Sequence, residues 1–322
     1  MRRIGCLGAV LGLIALVAAL MIARGWSGEG PAKQPLSVQI AEGSSLASAA
    51  TELEKAGAIA SARRFRLYAR VFGSGEPIKT GEYRIPAGAS PSDILTMLQA
   101  GKVLQRMVVV PEGYPAIMVR DALLKADGLA GAVPEIAEGS VLPDSYAFQR
   151  GDTRAALVGR MQKAMRDYLA GAWAKRKQGI AVATPREAIV LASVVEKETG
   201  KPAERRTVAA VYSNRLRIGM PLQADPTVIY PITKGRPLGR RILRSELTAK
   251  NGYNTYAERG LPAGPIANPG RASIDAVLDP ASSKALYFVA DGTGGHVFAD
   301  TLDQHNANVK KWYAIRKARG EM

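Results

Sequence analysis

Twenty consecutive uncharged positions, residues 4–23, open the chain and are rich in Leu, Ala, Val and Ile. A helix of that length rises about 30 Å, the thickness of a bilayer's hydrocarbon core, so the pattern predicts a transmembrane anchor. Arg2 and Arg3 precede it, which by the positive-inside rule puts the short end in the cytoplasm and everything after Arg24 outside. A retained anchor is favoured over a signal peptide cleaved near Val17-Ala18-Ala19, because the run is long for a signal's apolar region. Residues 25–35 read as a Gly/Pro-rich linker, with Trp26 suited to the membrane–water interface.

The apolar spacing then changes. Ile40, Gly43 and Leu53 share one spacing with Ile85, Gly88 and Leu98, and with Val110, Gly113 and Leu123. Each set reads as a strand, a glycine turn and an amphipathic helix, with Ser44 or Ser45 and Ser90 as caps. Residues 36–104 are expected to form a small α/β domain. Residues 105–322 are expected to form a larger, mainly helical one. Its strand lies at 107–111, its helices at 115–125, 153–177, 203–218 and 304–319, and residues 141–148 read as irregular. Leu286 to Phe298 flank Asp291-Gly-Thr-Gly-Gly295 and read as a β-hairpin. The fold class expected is α+β behind an N-terminal transmembrane helix.

Residues 184–200 are the most fully signposted helix. Thr184 and Glu187 have capping-box spacing, Pro185 falls at the first helical position, and Gly200 stands where a left-handed residue commonly ends a helix. Ala188, Ile189, Val190, Leu191, Ala192, Val194 and Val195 cover almost every azimuth, which predicts a buried helix. Glu196 continues the Ile189–Ala192 line and Glu198 the Leu191–Val194/Val195 line, so the two point roughly 160° apart. A carboxyl on so apolar a helix loses hydration, which favours its neutral form and suits a general acid. The same two glutamates could equally pair with Arg or Lys in a structural network.

Composition narrows the chemistry. Cys6 is the only cysteine and lies in the apolar run, so the remainder has no disulfide, thiol nucleophile or cysteine ligand. His296 and His305 are the only histidines and match no zinc spacing; no Ser-x-x-Lys, Gly-x-Ser-x-Gly or Walker-type loop occurs. Carboxylates, amides and hydroxyls are left to carry any reaction, with no metal and no cofactor expected. The formal charge of +16 suits an anionic surrounding, for an exported chain lipid headgroups and wall peptides rather than nucleic acid, although a basic surface also serves solubility alone. The turn-rich stretch from Arg215 to Pro269 gathers amides, hydroxyls and tyrosines of the kind that bind sugars, although Asn-Thr and Asp-Pro also make ordinary turns.

Seven segments in order carry a resemblance. They are Val110-Pro-Glu-Gly-Tyr114, Glu138-Gly-x-x-Leu-Pro-Asp-x-Tyr146, Leu191-Ala-Ser-Val-Val-Glu-Lys-Glu-Thr199, the run from Asn214 to Tyr230, Tyr253-Asn-Thr-Tyr256, Gly260-Leu-Pro262 and Leu286 to Phe298. Over nearly its whole length the chain resembles the endolytic murein transglycosylase (MltG, YceG-like) family. Two mild departures are Leu142-Pro-Asp-Ser145 for the usual Phe-Pro-Asp-Thr, and Ala263 where a second proline often stands.

The resemblance implies a single-pass inner-membrane protein with a LysM-like subdomain and a periplasmic catalytic domain. It implies endolytic cleavage of β-1,4 MurNAc-GlcNAc bonds in nascent peptidoglycan, leaving 1,6-anhydro-muramyl ends, beside penicillin-binding proteins. The first glutamate of the family's Val-Glu-Lys-Glu motif is the catalytic one and falls on Glu196. Gln223, Asp225, Asn254 and Tyr256 are then expected to line the sugar groove. Two other readings stand beside it: a hydrolase of the same polymer using Glu196 and Asp225, and a non-catalytic wall-binding scaffold.

Overall fold

The computed structural model describes residues 2–321, with side chains from Gly12 onward. Helix α1 (Arg2–Ser27) occupies the apolar run. The expected transmembrane anchor is corrected here: among the described residues no helix is long and apolar enough to cross a membrane. The side chains of the N-terminal residues expected to form a cytoplasmic stub, of Cys6 and of the first part of the expected span lie outside the described residues. Trp26, expected at a membrane–water interface, packs inward instead. It is 9% exposed and packs against Phe65, Tyr68 and Phe72, with ring centroids 6.2–6.3 Å away.

The chain divides into two compact units, and residues up to Arg106 with Gln149–Gly151 form the first. There β1 (Leu36–Ile40), α2 (Leu46–Lys55), α3 (Ala62–Phe72), β2 (Gly81–Ile85) and α4 (Pro91–Ala100) follow one another. The two strands pair antiparallel, Leu36 opposite Ile85 and Ile40 opposite Gly81. Their alternate residues Val38, Ile40, Tyr83 and Ile85 meet Leu53, Phe65, Ile94 and Leu98 from the helices in one core. Each such side chain removed from water contributes about 1.5–3 kcal/mol. Ser45 rather than Ser44 caps α2, and Ser90 with Asp93 makes a complete capping box on α4.

The second unit holds β3 (Arg106–Val110), α5 (Ala116–Lys125), β4 (Asp144–Phe148), α6 (Arg154–Ala174) and α7 (Pro185–Glu198), then a 3-10 turn (Pro202–Glu204). After it come α8 (Arg205–Arg217), α9 (Asp225–Thr233), α10 (Arg244–Leu247), α11 (Arg271–Leu278), the hairpin β5 (Tyr287–Ala290) and β6 (His296–Ala299), and α12 (Leu302–Ala318). Residues expected to be irregular form β4, which pairs with β3. Helix α5 starts after Pro115 with no side-chain cap of its own; the Glu138 carboxylate accepts the Ala116 N–H at 2.8 Å instead. Burial pushes the Glu138 carboxyl up to about 7, against the pull of that N–H and of the Tyr230 hydroxyl.

Helix α7 packs against α6, α8, α9 and α11, and every residue from Ala188 to Val195 is buried. Thr184 accepts the Glu187 N–H at 3.1 Å as expected, but Glu187 reaches back to Ala183 N, one residue before the cap. The helix ends at extended Thr199, not at a left-handed glycine. Thr199 accepts the Lys201 N–H and steers the chain into the 3-10 turn.

Gly139 has φ +73°, and a Cβ there would lie 2.7 Å from Pro265 and 2.8 Å from Ile189. Gly139→Ala is expected to cost about 2–4 kcal/mol, from left-handed strain plus overpacking. Denaturant unfolding at unchanged m-value measures it.

Candidate active site

The C-terminal end of α7 sends its two glutamates to different surroundings. Glu196 is enclosed, with a side chain 6% exposed. Its Oε2 accepts the Gly270 N–H at 2.9 Å, at the start of α11, and its Oε1 lies 3.5 Å from Arg205 Nη2. The same guanidinium stands 3.8 Å from Glu112. Glu196 thus belongs to an ion-pair cluster with Arg205 and Glu112.

Glu198 faces a cavity of about 310 Å³. Its walls include Tyr212 and Arg215 from α8, Gln223, Asp225 at the start of α9, and Tyr256. Burial pushes the Glu198 carboxyl up to about 7; the Asp225 charge adds to the rise, while a hydrogen bond with Tyr212 and the Arg215 charge oppose it. Arg215 is itself held by three carbonyls: Nε donates to Leu286 O at 2.7 Å, and Nη1 donates to Leu222 O at 2.6 Å and Pro221 O at 3.3 Å. It therefore lines the cavity in a fixed position and contributes to its field. His305 lies at the edge, its ring stacked on Tyr287 at 5.1 Å and its pKa lowered by burial and by Arg215.

Two threonines fix the opposite wall. Thr227 and Thr255 hydroxyls bond at 2.8 Å in the interior, and Thr255 Oγ1 accepts the Ala224 N–H at 3.1 Å. This pins the start of α9 to the segment carrying Tyr256, whose hydroxyl donates to Asp225 Oδ1 at 2.6 Å. Gln223 has φ +54°, a left-handed conformation rare for a side-chain-bearing residue, and it opens onto the cavity.

The sequence-derived residues therefore separate. Gln223, Asp225 and Tyr256 come together, around Glu198 rather than Glu196. Asn254 is fully buried, and its Nδ2 donates to the carbonyls of Glu246, Leu247 and Ala249 while Oδ1 accepts the Tyr256 N–H. Sequence reasoning weighed Glu198 beside Glu196 but did not choose it, and it passed over Tyr212 and Arg215 as site residues. A signal for Glu198 existed: it continues the most deeply buried line of α7, through Leu191 and Val194. Arg215 and Tyr212 lie on a helix otherwise buried through Val208, Ala209 and Val211, where two polar groups facing inward call for a partner.

The cavity thus brings a carboxyl whose pKa is raised by burial together with an amide, a phenol and a second carboxylate. Residues 38–311 match the profile of the YceG-like family, and the chain belongs to that family. It is 28% identical over 321 residues to an endolytic murein transglycosylase of Bacillus subtilis (strain 168), covering 89% of this chain and 88% of that protein. An endolytic murein transglycosylase of Streptococcus pneumoniae (serotype 2, strain D39 / NCTC 7466) is 28% identical over 326 residues; there the match takes in 86% of this chain but 58% of the longer relative. The crystal structure of a YceG-like protein from Listeria monocytogenes has a TM-score of 0.52 to this chain at 27% identity. That match covers 85% of this chain and 99% of the other.

Proposed function

We propose that this chain is a lytic transglycosylase of peptidoglycan, cutting β-1,4 MurNAc-GlcNAc bonds within glycan strands with Glu198 as its proton donor. Membership of the family and the relatives' names support the substrate. The observation that carries the residue assignment is the meeting of Glu198, Gln223, Asp225 and Tyr256 in one cavity.

In this reading protonated Glu198 gives its proton to the glycosidic oxygen as the bond to the muramyl anomeric carbon breaks. The carboxylate left behind takes the proton of the same sugar's 6-hydroxyl, whose oxygen closes on the anomeric carbon. No water enters, the acid is regenerated, and the products are a 1,6-anhydro-muramyl end and a free hydroxyl on the departing sugar. Asp225 supplies negative charge beside the developing oxocarbenium ion, with Tyr256 holding its orientation. Gln223 offers an amide to hydroxyl or acetamido groups. Glu196, to which the family motif points, is the competing donor, and it is engaged by Arg205 and the Gly270 amide.

Mass analysis of fragments released from purified sacculi tests the reaction, because anhydro ends are one water lighter than reducing ends. Reducing ends would sink it in favour of a two-carboxylate hydrolase, which the shared cavity of Glu198 and Asp225 makes the second reading. The pH profile tests the donor. Glu198 must start protonated, so cleavage is retained below about 7 and falls roughly tenfold per pH unit above it. Initial rates of fragment release from pH 5 to 9 measure this; a rate flat to pH 9 rules Glu198 out.

A further inference from the structure

A second cavity, of about 440 Å³, is lined by residues next in sequence to those of the first. Lys197 lines it while Glu198, the next residue, lines the first; Pro226 lines it while Asp225 lines the first. Successive Cα atoms are about 3.8 Å apart. At both places consecutive residues line the two cavities, so both draw on the end of α7 and the start of α9.

The linings differ in kind. Where the first cavity offers phenol, amide and carboxylate, the second is walled by Tyr114, Met118, Ile229, Leu238 and Ile266. A sugar ring, with a hydroxyl on nearly every carbon, finds few partners there. Three charged residues border it. Arg236 is paired with Asp121, and Glu112 faces Arg205 at 3.8 Å. Lys197 Nζ has only the Gly113 carbonyl, at 3.5 Å, and no carboxylate partner among the described residues. An apolar wall with one available ammonium fits a ligand of small apolar side chains ending in, or bearing, a carboxylate. That is a short peptide.

We propose that this second cavity receives the stem peptide of a muramyl residue next to the cleaved bond, with Lys197 pairing to a peptide carboxylate, so that the protein selects peptide-bearing strands over bare ones. The inference rests on the reaction proposed above, which puts muramyl sugars in the adjoining cavity. Lys197 acts in binding and takes no part in bond cleavage.

Two measurements test it separately from the reaction. First, uncrosslinked strands with stem peptides intact are compared with the same strands stripped by an amidase. The wild type is expected to show a kcat/KM about tenfold higher on the peptide-bearing strands, the effect of one charge-assisted contact. Lys197→Met, which keeps the aliphatic stem, is expected to bring that ratio close to one. Equal rates for the wild type, or an undiminished ratio in the variant, overturns the proposal. Second, a synthetic stem peptide ending in D-alanine is titrated against the full chain by calorimetry, and Lys197→Met is expected to weaken binding about tenfold. A wild type that does not bind the peptide, or a variant that binds it equally well, also overturns it. Peptide binding that depends on Lys197 in a protein that cuts neither strand upholds the cavity's assignment and removes only the reaction.

Discussion

Glu198→Gln is expected to lower strand cleavage by about a thousandfold, within the range that loss of a positioned general acid produces. Glutamine keeps the shape of the side chain and its capacity to bond Tyr212, but it carries no transferable proton. The fold is expected to survive. Folding raises the carboxyl from its ordinary 4.5 to about 7, so its protonated form is preferred in the folded state. That preference favours the native protein at low pH and is lost as pH rises through about 7. The amide variant is free of this dependence and is expected to unfold no earlier than the wild type at pH 8. Glu196→Gln, assayed alongside for anhydro fragments, decides between the two carboxyls. Silence from Glu196→Gln with near-normal release from Glu198→Gln would return the donor's role to the residue in the Arg205 cluster.

Asn254→Ala is expected to show the largest loss of stability, about 3–4 kcal/mol, because it empties a fully buried site and takes the partner from four part-buried backbone groups at once. The Asn254 amide closes on Glu246 O at 3.0 Å, Leu247 O at 3.1 Å and Ala249 O at 2.8 Å, and its oxygen takes the Tyr256 N–H at 3.0 Å. It ties the end of α10 to the segment that presents Tyr256. A drop in melting temperature of roughly 6–12 °C is expected, with reduced cleavage as a consequence. Lost cleavage with an unmoved melting temperature would instead mark Asn254 as a direct sugar contact.

Much of the local structure was legible because it is written in short-range chemistry. The strand expected before the Gly88 turn is β2, which ends at Ile85, Ser90 announces α4, and Asp291 to Gly295 turns the hairpin as its glycines dictate. The recurring aliphatic-glycine-leucine spacing corresponds to β1–α2, β2–α4 and β3–α5, with Gly43, Gly88 and Gly113 all at positive φ. Other features depend on groups distant in the chain. Asp225 to Thr233 contains two prolines and reads as turns, yet forms α9, held by the Thr227–Thr255 contact across 28 positions. Trp26 is a similar case: it reads as an interfacial aromatic from its place after the apolar run, yet it packs among the aromatics of α3. At the site, azimuth alone correctly parted the two glutamates of α7 but could not say which one meets Asp225. That choice is made by α8 and α9, which no spacing within α7 encodes.

The borrowed start of α5 has a consequence for how this chain tolerates change in length. A helix that opened on its own serine or aspartate would be indifferent to the loop behind it. Here the group that stops the first turn from fraying arrives from 22 positions downstream, across residues 126–137. Shortening that connection would retract Glu138 and unwind the helix from its front, so a stretch that looks like a dispensable surface excursion has its span set by the reach of one side chain.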